Sequence, residues 1–205
     1  MKIRDLESQL KDLPVFTLND IRKFEPTFHK EQLSYWRSKG FIKHFAGRYY
    51  YFADQIVDEG LLKMMSNRIY EPSYISLESA LEKHQIIPES VLGITSISSR
   101  KTKQFQSSWG YLRYQSVKPI YMFGYDVIEA SKHVKYKIAT LEKAILDYLY
   151  LNPKVNSRED FEGLRWNKHL LSDQIDTPLF LNYLKIFNNQ ALSNRSKILM
   201  EYIHA

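Results

Sequence analysis

The chain contains no cysteine. Disulfide staples, zinc–thiolate sites and thiol nucleophiles are therefore excluded, and a reducing cytoplasm is the simplest setting. No window approaches the roughly 18 apolar residues that a membrane span needs. The opening MKIRDLESQLKDLP carries charge throughout and lacks the apolar run of a secretory signal, so a cytoplasmic protein with no membrane partner is expected. Glycine and proline are sparse, 7 of each in 205 residues, and no repeat or low-complexity tract is visible. Catalytic vocabulary is also thin: there is no Gly-rich phosphate loop, no His-Glu-x-x-His pair and no serine elbow. Glu142 and Asp147 stand five apart on an expected helix, so their side chains diverge by about 140° and cannot chelate one metal by themselves. Glu142 reads instead as a first-turn acid complementing the helix dipole. His84, near Glu78 and Glu82, falls on the apolar face of its helix and reads as a packed or capping histidine. No enzyme, metal site or cofactor is expected.

What is present is an ordinary globular balance, 44% hydrophobic and 25% charged, rich in Tyr (15) and Phe (11). Tyrosine has an apolar body and a polar tip, which suits extensive half-buried surface. Lys+Arg 29 against Asp+Glu 23 leaves +6, an excess that favours polyanionic partners.

Hydrophobic spacing predicts a helix over 2–12 from Ile3, Leu6 and Leu10, stopped by Pro14. Thr17 and Asn19-Asp20 offer capping chemistry to a short helix through Ile21 and Phe24. Glu25-Pro26 breaks it, Thr27 is a candidate N-cap for a third helix reaching Lys39, and Gly40 is a candidate C-terminal cap. Two strand-like runs follow, 41–45 and 48–52, joined at Ala46-Gly47. Helix, helix, turn, helix and hairpin is the order of a winged helix-turn-helix, expected over 1–52. Leu33 and Trp36 share one side of the third helix, with His29 beside them. The other side carries Thr27, Glu31, Ser34 and Ser38, flanked by Lys30, Arg37 and Lys39. Short polar side chains between cations suit a helix lying in a major groove; Glu31 would face phosphate or accept from a cytosine amine. With Lys43, His44 and Arg48 on the hairpin, residues 30–52 hold five Lys/Arg against one acid. The bland alternative is a set of solvated charges on a small docking domain.

A connecting helix is expected over 53–69. The remainder, 70–205, reads as α+β: a helix capped by Ser76, strands around Ile94–Ser98, Phe105, Tyr111–Val117 and Ile120–Phe123, a helix from Thr140 to Leu151, and tail helices near 177–188 and 193–204. Its sheet is expected to be small and mainly antiparallel, with flanking helices. A second basic cluster comprises Arg100, Lys101, Lys103, Arg113 and Lys118, with Lys132, Lys135 and Lys137 beyond. Phe105, Trp109, Tyr111, Tyr114 and Tyr121 interleave with it, and aromatics in that pattern either stack on bases or pack a core.

Pro72-Ser73-Tyr74-Ile75-Ser76-Leu77-Glu78-Ser79-Ala80-Leu81, followed by His84 and Ile86-Ile87-Pro88-Glu89 and running to Val91, resembles the start of the AbiEi antitoxin domain. Thr95-Ser96-Ile97-Ser98-Ser99-Arg100-Lys101-Thr102 with Phe105, then Gly110-Tyr111-Leu112-Arg113-Tyr114, Phe123-Gly124-Tyr125, and Ile138–Asp147 with its Glu142-Lys143-Ala144 follow in that family's order. The likeness covers about 70–151. One element departs: His84-Gln85-Ile86-Ile87 stands where the family often has a glycine before Leu-Ile-Pro. The resemblance implies a bacterial autorepressor whose winged helix binds inverted repeats in its own promoter. It also implies an antitoxin opposing a nucleotidyltransferase-type toxin, without a stable complex between the two. The contrasting reading is a protein-interaction module that binds a toxin directly and has no sequence-specific DNA role.

Overall fold

The computed structural model describes residues 2–88 and 92–204; Glu89 and Val91 of the resemblance lie outside them. Three helices open the chain: α1 (Ile3–Leu10), α2 (Leu18–Arg22) and α3 (Lys30–Ser38). Thr17 caps α2 reciprocally, accepting from the Asp20 amide at 3.3 Å while Asp20 accepts from the Thr17 amide at 2.9 Å. Strands β1 (Ile42–Ala46) and β2 (Tyr49–Phe52) then pair antiparallel. Leu6, Leu10, Phe16, Ile21, Phe28, Leu33, Trp36, Ile42 and Phe52 form one buried cluster.

Two expected boundaries move. Helix α3 begins at Lys30, not after Thr27, and its N-cap is His29, which makes no side-chain capping bond. Phe28 is buried and its amide closes a turn on the Glu25 carbonyl at 3.0 Å, which holds this stretch out of the helix. The connecting helix begins at Glu59, because Asp58 caps it by accepting from the Leu61 amide at 2.7 Å. Upstream, Ala53 and Gln55 donate to the carbonyls of Phe41 and Phe52, so 53–58 stays tied to the hairpin.

Helix α4 (Glu59–Ile69) lies against a six-stranded sheet ordered β5-β6-β4-β3-β8-β7. Its strands are β3 (Ser73–Ile75), β4 (Gly93–Ser98), β5 (Lys103–Ser107), β6 (Gly110–Ser116), β7 (Tyr125–Ser131) and β8 (Val134–Ala139). The sheet is larger than expected and mixed, with β4/β6 and β3/β8 parallel. β5 takes the outer edge before β6 returns beside β4, so β6 runs in the direction of β4. The strand expected at Ile120–Phe123 is instead a 3-10 turn over Pro119–Tyr121, where proline removes a ladder donor. β7 and β8 replace it in the sheet.

Helix α5 (Leu77–Lys83) and α6 (Leu141–Leu151) cover the face opposite α4. Four more follow: α7 (Arg158–Gly163), α8 (Lys168–Gln174), α9 (Thr177–Phe187) and α10 (Gln190–His204). No helix among the described residues is long and apolar enough to cross a membrane.

The hairpin belongs to both halves. Ile42 and Phe52 pack in the first cluster with Tyr50 against it, whereas Phe45, Ala46 and Tyr51 belong to the larger cluster of the sheet. Phe45 and Tyr51 lie 5.8 and 5.9 Å from the Trp109 ring. The turn itself is Gly47-Arg48, one residue later than expected, since Ala46 pairs with Tyr49. Gly47 has φ +59, and a Cβ there would sit 3.0 Å from the Phe105 ring. Left-handed backbone and close approach both demand glycine.

Candidate nucleic-acid interface

Helix α3 sorts its residues by burial as an amphipathic helix does. Leu33 and Trp36 are buried, and Trp36 packs on Phe28 at 5.2 Å. Lys30, Glu31, Ser34, Arg37 and Ser38 are exposed. The helix ends with both bonds of a Schellman motif, Gly40 donating to Arg37 at 3.1 Å and Phe41 to Trp36 at 3.0 Å, with Gly40 at φ +74.

An open groove of about 530 Å³ brings Lys30, Glu31 and Ser34 of α3 beside Asn19 of α2 and Arg48 and Tyr50 of the hairpin. The other candidates lie around it rather than in it. Thr27 is exposed and donates to Glu25 at 2.8 Å. Ser38 donates back to the Tyr35 carbonyl at 2.8 Å, so its hydroxyl proton is committed within the helix. Lys39 sits at the C-cap, 5.8 Å above the Tyr35 ring. Lys43 is exposed but pairs with Tyr51, which places it on the hairpin face turned to the larger sheet. His44 Nε2 donates to the Gly47 carbonyl at 2.8 Å and its ring meets Tyr50 edge-on, so it holds the turn. Arg48 stacks over Tyr49 at 5.8 Å. Among the described residues, none of Lys30, Arg37, Lys39, Lys43 and Arg48 pairs with a carboxylate.

The second basic set divides. Arg100 donates to the Glu71 carbonyl at 3.2 Å and lies 4.2 Å over Tyr70; Lys103 is 5.6 Å over Phe105; Arg113 donates to Gln104 at 3.3 Å. Lys101 and Lys118 are exposed. The aromatics between them are not a stacking platform. Tyr114 and Tyr121 are buried, and Phe105 and Trp109 pack against the core, leaving Tyr111 as the exposed ring of the five. The Tyr114 hydroxyl donates to the Ser66 carbonyl at 2.7 Å, and burial pushes its pKa well up.

Sequence reasoning missed a buried polar cluster under the sheet. Lys143 and Asp147, one turn apart on α6, form an ion pair that is 0% exposed on both sides. Tyr74 and Ser76 each donate to Asp147 at 2.8 Å, and the Lys143 ammonium donates to Tyr74 at 2.8 Å. The rings of Tyr74, Phe123 and Phe187 surround that ammonium at 4.9–5.3 Å. Burial pushes Lys143 down and Asp147 up, each toward its neutral form, while each also holds the other charged. Ser76, expected to cap α5, turns its hydroxyl to Asp147 instead. The available signal was a Lys and an Asp four apart on an otherwise apolar helix stripe. Glu142 is buried on the same helix and accepts from the Asp176 amide at 3.0 Å, fixing the start of α9. His84 meets the Ala139 carbonyl at 3.1 Å.

Among the described residues no three His, Asp or Glu side chains gather as a metal site. No family model and no curated protein matches the chain.

Proposed function

We propose that the chain is a DNA-binding autorepressor, with residues up to 52 as a winged helix-turn-helix and α3 as its major-groove helix. The observation that carries this reading is the outward face of α3. Ser34 lies between Lys30 and Arg37, all exposed and, among the described residues, without carboxylate partners, and Arg48 lines the same groove as Lys30 and Ser34. Phosphates would neutralise the cations while the short serine lets the helix approach base edges. The antitoxin half of the reading, opposition to a nucleotidyltransferase-type toxin without a stable complex, rests on the resemblance of residues 70–151. No cofactor and no catalysis enter the proposal.

Titrating the protein onto the DNA upstream of its gene at several salt concentrations tests it. Five or six phosphate contacts give a slope of log affinity against log salt of roughly −5, and Arg37→Ala and Arg48→Ala each reduce its magnitude by about one with a nearly unchanged Tm. Salt-sensitive binding indifferent to sequence overturns the repressor. The second reading, an interaction module with no sequence-specific DNA role, is favoured by one observation: packing on both faces already accounts for the hairpin. Growth rescue on co-expression with a neighbouring nucleotidyltransferase-like protein, retained by the double variant, would favour it.

A further inference from the structure

The two edges of the six-stranded sheet are finished differently. β5 carries Lys103 and Lys101 beside it, and the hairpin turn rests on its Phe105. Charge and cover are the usual protections of an edge. β7, the other edge, is seven residues long and exposed from Asp126 to Ser131. It presents Val127 at 59% and Ile128 at 36% exposure. Its Glu129 is neutralised by Lys135 of the neighbouring strand at 3.0 Å.

The direction of its backbone groups follows from one bond. The Gly124 carbonyl accepts from the Thr140 amide at 3.0 Å, so residue 124 faces β8. In the register Tyr125↔Ala139 to Glu129↔Lys135, Asp126 and Ile128 therefore also bond to β8. Tyr125, Val127 and Glu129 turn their N–H and C=O groups outward. Lys137, opposite Val127, agrees: its amide points away from β7, to the Asn67 side chain at 2.6 Å.

We propose that β7 pairs antiparallel with β7 of a second copy of this chain, continuing the sheet across a two-fold axis at Ile128. That register lets Val127 and Glu129 of the two copies exchange main-chain hydrogen bonds, because both turn outward. Ile128 meets Ile128 at the axis, Asp126 lies opposite Ala130, and no like charges face directly. Asp126 has no ion pair among the described residues of its own chain, nor has Lys132 at the end of the hairpin. The pairing brings each Asp126 toward Lys132 of the second copy. This inference does not depend on DNA binding.

Sedimentation of the full chain tests it: the expected mass is twice 24.4 kDa. Ile128→Lys and Ile128→Glu, which place like charges together on the axis, are each expected to run as monomers with unchanged circular dichroism. Mixed one to one, they are expected to recover the dimer. Val127→Pro removes an outward donor and no bond to β8, and is also expected to be monomeric. A wild-type monomer at the highest soluble concentration overturns the proposal, including the case in which β7 serves a foreign strand. A dimer that survives Ile128→Lys and Val127→Pro, or variants that stay monomeric when mixed, also overturns it.

Discussion

Helices α3 and α6 each carry lysine, and they treat it in opposite ways. On α3, Lys30 and Arg37 stand in water with no carboxylate partner among the described residues, while on α6 the Lys143 ammonium is sealed among three rings beside Asp147. An exposed, unpaired cation contributes little to folding and is free to meet a ligand. A buried one is bound into the core, because losing its partner leaves a charge stranded in a medium that cannot solvate it. Between them stands Asp20, whose side chain is 14% exposed and bonded to Thr17 and Lys23. The contrast therefore predicts stability effects graded by burial.

The largest belongs to α6. Asp147→Asn should cost about 3–5 kcal/mol in urea unfolding by stranding Lys143, and Lys143→Met combined with Asp147→Leu should recover much of it. A cost below about 1 kcal/mol for Asp147→Asn would erase the contrast.

The intermediate effect belongs to α2. Thr17→Ala should cost about 1 kcal/mol through the lost cap. Burial alone would raise the Asp20 carboxyl, but hydrogen bonds from Lys23 and Thr17 outweigh it and hold the group below its ordinary 3.8. A carboxyl lowered in the folded state stabilises above its unfolded value, and that stability is lost as pH falls through the folded one. Melting from pH 6 downward should therefore show an Asp20-dependent loss below 3.8, absent in Asp20→Asn.

The smallest concerns strain rather than charge. Gln85 has φ +62, a region costly for a residue with a Cβ. Gln85→Gly should raise stability by about 0.5–1 kcal/mol, seen as a higher Tm. A lower Tm would mean that the Gln85 side chain contributes more than its backbone costs.

Much of this organisation is legible in the residues. The apolar stripe of α6 and the buried and exposed sides of α3 follow from spacing alone, because local periodicity determines them. β7 and β8 were harder. Val134, Tyr136 and Ile138 alternate with Lys135 and Lys137 as a strand does, yet the same lysines, with Lys132, also read as a basic run. In the hairpin, Tyr49-Tyr50-Tyr51-Phe52 does not alternate, and that is itself the sign of a strand covered on both faces. What covers the second face comes from Trp109 and Phe105, far along the chain, and no local pattern reports it. Within the candidate site, Ser38 and His44 read as open donors because their bonds to Tyr35 and Gly47 depend on backbone geometry that the residue types leave undetermined.

The shared hairpin has a consequence for synthesis. Phe45 and Tyr51 emerge from the ribosome well before Trp109, which packs on both, and before Phe105, which lies against the Gly47 turn. At roughly 5–20 residues per second, that is a delay of a few seconds with a bare aromatic strand face. The N-terminal helices can fold meanwhile, but with one side of the hairpin uncovered. The nascent chain thus passes through an interval in which a chaperone, or another chain's exposed strand, can reach it first.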